Sequence, residues 1–264
     1  MTYELFSLLN AFLFLSLLLL ILSIFREKYE KFFVGTVVFS FLYLVFVQVL
    51  YWRETFVAFG NYVIRFYPPF WIENEKLFFW FFLSAVLLLK VREGKEFSKI
   101  ALLIMLLFVI FVQNPSNPLP NLRRELELFN PAYIDYYAAR AAYFYNSPYM
   151  WIHPPLLFLA YAYLLHSFAL SLAKKNEYDF AKNGYLFLTL GLIFGYPWAI
   201  IAWGENWWWD PKIAMSIMLW VIYTAYLHAR IGGKFYREIN LAGFGSLVAT
   251  YLMTYLLPGV HGYG

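Results

Sequence analysis

Long apolar runs alternate along the chain with short clusters of charge or of proline and glycine. Eight runs can be marked, near 5–25, 32–51, 71–89, 100–113, 151–173, 184–203, 213–229 and 239–257. Most are long enough to cross about 30 Å of hydrocarbon as α-helices, the conformation that satisfies every backbone polar group within the segment. The third and fourth are shorter: 13 apolar residues separate Lys76 from Lys90, and Ile100–Val112 is equally short. Runs of about 10–14 residues suit re-entrant segments as well as spans, and lysines snorkelling at the ends would lengthen both. The pattern predicts an all-α fold: a polytopic transmembrane helix bundle, one membrane domain over 1–264. It has about eight spans, or six if 71–89 and 100–113 are re-entrant.

Composition agrees. Of 264 residues, 62% are hydrophobic and only 14% charged, with mean hydropathy +0.60; a soluble domain of this size needs far more polar surface. The first run, Leu5–Phe25, has neither a basic leader nor a small-residue cleavage site, and reads as a span rather than a signal peptide. There is no cysteine, so disulfides, thiol nucleophiles and thiolate metal sites are excluded. Basic residues set the expected orientation. The connections 26–31, 90–99, 174–183 and 230–238 hold 13 of the 20 Lys and Arg, which places them in the cytoplasm and both termini outside. The net charge of +4 is thus a topology signal, and no nucleic-acid partner is expected. Two outward segments remain, aromatic 52–76 and amphipathic 113–150. Both face the outer interface and membrane lipid; in 113–150 apolar and charged positions mix at helical spacing, which suggests helices lying in the interface.

The densest signal is Trp203-Gly204-Glu205-Asn206-Trp207-Trp208-Trp209-Asp210-Pro211-Lys212. An aromatic belt scatters its indoles; four within seven positions form a platform for something flat and apolar. Asp210 and Pro211 suit the N-cap and first position of the next helix, and Lys212 is an outer cation able to meet a carboxylate. Four histidines carry the candidate chemistry. His153, at the entry of the fifth span, and His261, past the exit of the last, share the outer side with the tryptophans. Two imidazoles beside an aromatic surface suit axial ligation of an iron porphyrin; each alone also suits an interfacial polar residue. His228 lies at the inner end of the seventh span, about 27 Å along the helix from Asp210. It is a candidate second site or a head-group contact. His166 is about 20 Å deeper than His153 and fits an interhelical hydrogen bond.

The Trp203–Lys212 stretch resembles the WWD motif of the cytochrome c assembly family of haem-handling membrane proteins, and the CcsA/ResC branch most. The resemblance covers about 146–264, with Thr189-Leu190-Gly191, Tyr226-Leu227-His228-Ala229-Arg230 and Gly259-Val260-His261-Gly262-Tyr263-Gly264. The motif is usually followed by Glu, where Ile213 stands here. The resemblance implies a subunit of a cytochrome c synthase (haem lyase) in a bacterial-type plasma membrane. It would work with a CcsB/ResB-type membrane protein, accept haem b non-covalently from the cytoplasmic side and hold it at the extracytoplasmic WWD site. Delivery would be to apocytochrome c carrying Cys-x-x-Cys-His. The family's two outer ligands would be His153 and His261, and its transmembrane histidine His228. Two other classes stay open: a transporter of another flat amphipathic molecule, and a haem-bearing subunit of a respiratory complex.

Overall fold

The computed structural model describes residues 2–52, 56–59, 62–65, 74–116, 147–204, 207 and 210–256, with backbone alone at 2–4, 51–52, 56–59, 62–65, 201–203 and 254–256. All eight apolar runs are helices: α1 Thr2–Phe25, α2 Glu30–Trp52, α3 Glu75–Leu88, α4 Lys95–Phe111, α5 Pro148–Leu172, α6 Tyr178–Trp203, α7 Pro211–Gly232 and α8 Tyr236–Leu256. Among the described residues, four stretches are long and apolar enough to cross a membrane: Leu5–Phe25, Glu27–Leu50, Pro148–Leu172 and Pro211–Gly232. The protein is a helical membrane protein. At 1.5 Å per residue, α3 and α4 reach only about 21 and 26 Å, the pair marked as short.

The outer aromatic segment 52–76 carries the one departure from an all-α pattern among the described residues. Phe56–Phe59 (β1) and Tyr62–Arg65 (β2) pair antiparallel, with Phe56 opposite Arg65 and Phe59 opposite Tyr62. Aromatic and β-branched residues dominate both tetrapeptides, and these favour extended backbone when no long helical run recruits them. Of the amphipathic segment 113–150, residues 117–146 lie outside the described residues.

The helices pack as two compact units, Met1–Leu89 with Lys99–Trp151, and Lys90–Ser98 with Ile152–Gly264. In the first unit α1 and α2 run antiparallel. The Tyr43 hydroxyl donates to the Leu5 carbonyl at 2.8 Å, and Phe12 meets Phe39 edge-on at 5.0 Å. Phe41 of α2 stacks on Phe82 of α3 at 4.2 Å, and Gln48 hydrogen-bonds Glu75. Two lysines are buried: Lys76 is 6% exposed and Lys99 4%. Lys99 turns inward, 3.2 Å from Glu30 and donating to the Ser23 carbonyl at 2.7 Å. A buried ammonium needs such partners.

The second unit holds α5–α8 in up-and-down order. On α6, Gly184, Gly191 and Gly195 face α5. A Cβ built on each would meet, respectively, Leu164 Cδ2 at 2.5 Å, Leu157 Cδ2 at 2.6 Å, and His153 Nδ1 and Cε1 at 2.5 Å. The α5 residues are spaced 153, 157, 164, one helical stripe, descending as the glycines ascend. Small residues allow such close approach where no hydrophobic effect drives helices together. Next, α6 meets α7 through Tyr185 stacked on Trp220 at 5.8 Å and the Trp220 indole donating to Thr189 at 3.0 Å. Finally, α8 is tied back by Asn240, which accepts from Tyr223 of α7 at 3.1 Å and donates to Ser167 and Ser171 of α5. Phe168 stacks on Phe244 at 4.1 Å.

Candidate functional site

Helix α5 begins at Pro148, three residues before the expected start. His153 therefore sits in the second turn, and Pro154 and Pro155 fall inside the helix rather than in its first turn. Lacking N–H groups, the two prolines withdraw donors from the carbonyls four residues back. The His153 side chain is half-buried, and its Nδ1 lies 2.6 Å from the Gly191 carbonyl. A carbonyl can only accept, so Nδ1 carries the proton, and in the neutral ring Nε2 holds the lone pair. Buried Trp198, one turn beyond Gly195 on α6, lies 6.1 Å from the imidazole at a 31° tilt.

The WWD loop starts where α6 stops. Gly204 takes φ +69° and ψ −152°, a region that costs a side-chain-bearing residue strain, and its N–H donates to the Ile200 carbonyl. The loop ends at Asp210, 5% exposed, whose Oδ1 accepts from the Lys212 and Ile213 N–H groups at 2.9 and 3.3 Å, with Pro211 at the first helical position. The expected cap is therefore present. Lys212 is half-buried beside it. Trp207 meets Tyr196 edge-on at 5.4 Å and 85°. His153 touches Gly195 and Trp207 touches Tyr196, so both flank one turn of α6, about 100° apart around its axis. The side chains of Trp203, Trp208 and Trp209, and all of His261, lie outside the described residues.

His228 is exposed near the far end of α7, its Nδ1 2.8 Å from the Thr224 carbonyl of its own helix. His166 is fully buried, with Nδ1 3.1 Å from Ser98 Oγ and its ring 5.5 Å from Phe180. This is the interhelical hydrogen bond expected of it. His153, His166 and His228 do not converge, and no group of three or more metal-binding side chains occurs among the described residues.

Sequence reasoning missed two parts of this unit. Gly191-x-x-x-Gly195 is a small-residue spacing that marks close helix approach, and it was legible. The acid Glu177 was not. It is 1% exposed, accepts from the Tyr226 hydroxyl at 3.0 Å and lies 3.4 Å from Arg230 Nε. Nothing distinguishes it in sequence from a loop carboxylate.

A helical membrane protein that sets an imidazole against a glycine face, beside a tryptophan-rich loop, is the class these observations define. The family model described as Cytochrome C assembly protein matches residues 70–261, and the chain belongs to that family. It is 44% identical over 93 residues to the cytochrome c biogenesis protein CcsA of Prochlorococcus marinus (strain NATL2A), covering 33% of this chain and 30% of that protein. It is 46% identical over 93 residues to CcsA of Gloeobacter violaceus (33% and 28%) and 42% over 103 residues to CcsA of Synechococcus sp. (strain JA-3-3Ab) (36% and 30%). The aligned stretch spans less than a third of these relatives' own length.

Proposed function

We propose that this protein handles haem within cytochrome c biogenesis, the process that its relatives' names state for them. It would accept haem b from the cytoplasmic side, hold it non-covalently at the extracytoplasmic WWD loop and deliver it to apocytochrome c, with a CcsB/ResB-type membrane partner. The observation that carries this reading is His153. Its Nδ1 proton is committed to the Gly191 carbonyl at 2.6 Å, a bond that fixes the tautomer and orients the ring for ligation through Nε2. His153 and His261 are the two axial ligands in this reading. Trp203, Trp207, Trp208 and Trp209 wall the site, Gly204 and Asp210 set the two ends of the loop, Pro211 starts α7, and Lys212 offers a cation to a propionate. Two imidazoles would hold the iron and keep oxygen from it until delivery. The chain has no cysteine, so the thiols come from the Cys-x-x-Cys-His acceptor. His228, about 27 Å away along α7, would serve a separate reception site.

The test is the visible spectrum of the purified protein, expressed with its partner, beside the His153→Gly and His261→Gly variants. A low-spin haem b spectrum that weakens in each variant and returns with added imidazole supports the reading. Normal haem content in the double variant overturns it. A haem-free wild type from haem-replete cells points to a transporter of another flat molecule.

A further inference from the structure

The Gly191–Gly195 turn of α6 does more than admit a neighbouring helix. We infer that Gly191 and Gly195 form a socket that positions the imidazole of His153; both are positioning residues, and the inference rests on the reading of His153 as a haem ligand. Three observations carry it. The Gly191 carbonyl takes the Nδ1 proton at 2.6 Å. The missing side chain of Gly195 leaves the space the ring occupies, since a Cβ there would stand 2.5 Å from both Nδ1 and Cε1 and 3.2 Å from Cγ. The missing side chain of Gly191 leaves room for Leu157, one turn along α5 from His153, whose Cδ2 would lie 2.6 Å from a Cβ at that position. Trp198 closes the socket at 6.1 Å.

The three contacts act on different degrees of freedom. Gly195 fixes how near α6 the ring can lie. The carbonyl fixes its rotation and tautomer. Leu157 against Gly191 fixes the distance between the two helices, and so the length of the carbonyl bond. Carbon atoms pack at about 3.5–4.0 Å, so an alanine at 195 displaces the ring by ~1 Å or drives it to another rotamer. A displacement of that size is enough to misplace a ligand nitrogen. Gly184 is the internal control. It lies on the same face and makes the same overlap, 2.5 Å to Leu164, but eleven residues from Gly195, about 16 Å along the helix.

The experiment compares Gly195→Ala, Gly191→Ala, Gly184→Ala and His153→Gly in the full chain purified with its partner. Haem retention and the low-spin fraction are read from visible and resonance Raman spectra. The His153 tautomer is read in haem-free protein from the nitrogen shifts of labelled histidine, with the His153 signal identified by its loss in His153→Gly. Gly195→Ala is expected to weaken haem retention about 10–100-fold, the range seen when the outer partner of a ligand is disturbed, and to abolish the Nδ1-protonated signature. Gly184→Ala lowers stability and leaves both readouts at wild-type values. In the His153→Gly background, Gly195→Ala adds nothing further, because the ring it displaces is gone. Should Gly195→Ala fail to fold, the rescue pair decides: Gly191→Ala weakens retention, and Leu157→Ala in that background restores it. Loss of ligation in His153→Gly with none in Gly195→Ala or Gly191→Ala overturns the socket and leaves the ligand reading standing. An unchanged spectrum in His153→Gly overturns the ligand reading and the socket with it.

Discussion

Asn240 offers the sharpest test of how the second unit is held together. It is fully buried and ties its own helix α8 to two others, α5 and α7. Its amide has two protons for three acceptors, Ser171 Oγ at 2.7 Å, Ser167 Oγ at 2.8 Å and the Ser167 carbonyl at 3.2 Å, while its carbonyl accepts from the Tyr223 hydroxyl at 3.1 Å. Asn240→Leu removes all of these. The serine hydroxyls can rotate to carbonyls of their own helix, so little is lost there. Tyr223 is rigid and fully buried, so its hydroxyl is orphaned at ~1–3 kcal/mol. Interhelical hydrogen bonds in membrane proteins average ~0.6 and reach ~1.7 kcal/mol, so Asn240→Leu is expected to cost about 2 kcal/mol. Tyr223→Phe, which orphans only an amide oxygen, costs about 1 kcal/mol. With both partners apolar, no orphan remains, so the double variant falls short of the sum by ~1–1.5 kcal/mol. The assay is unfolding in mixed micelles of mild detergent and dodecyl sulfate, followed by circular dichroism, for the four members of the cycle. Additivity within ~0.3–0.5 kcal/mol, or an Asn240→Leu variant as stable as wild type, would refute the reasoning.

Asp210→Ala should destabilise the start of α7 by ~1 kcal/mol while Asp210→Asn or Asp210→Ser retains most of it, measured by the same unfolding assay; equal loss in all three variants means the cap contributes nothing. Lys99→Ala strands the buried Glu30 carboxylate and is expected to cost ~3–5 kcal/mol, with Lys99→Met/Glu30→Leu recovering most of the loss; a mild single variant would show that water reaches the pair. His228→Ala should leave the unfolding curve in place, because the exposed ring bonds only its own helix among the described residues. Covalent haem incorporation into a co-expressed apocytochrome c should nevertheless fall, and wild-type incorporation removes His228 from the reaction.

The fold was legible because hydrophobic run length is a strong signal: all eight runs became helices near their marked ends. Helix starts were less so. Pro154 and Pro155 look like first-turn prolines, yet Pro148 opens α5 six residues earlier. The strand pair 56–59 and 62–65 was not legible, because period 2 over four residues is too short a signal. At the site, Asp210-Pro211 announced its cap through local chemistry alone. The partner of His153 did not announce itself. Gly191 lies 38 residues away, and only the three-dimensional meeting of α5 with α6 makes its carbonyl an acceptor. Buried Glu177 and Lys99 were hidden for the same reason, since burial of a charge is decided by partners distant in sequence.

The two histidines outside the core use one device in different settings, and the difference bears on what each can do. Both give Nδ1 to a main-chain carbonyl, His153 to Gly191 at 2.6 Å and His228 to Thr224 at 2.8 Å, so both neutral rings carry the lone pair on Nε2. His153 borrows its carbonyl from another helix and lies in the gap that Gly195 leaves, so its direction depends on how α5 and α6 pack. His228 uses its own helix, four residues back, so its direction depends on α7 alone and survives changes elsewhere in the bundle. A ligand that must hold cargo in one geometry needs the first arrangement. A ligand whose counterpart comes from outside this bundle, as the partner-supplied histidine of the proposed function would, needs the second: a ring oriented by its own helix and exposed, ready before the other half of the site arrives.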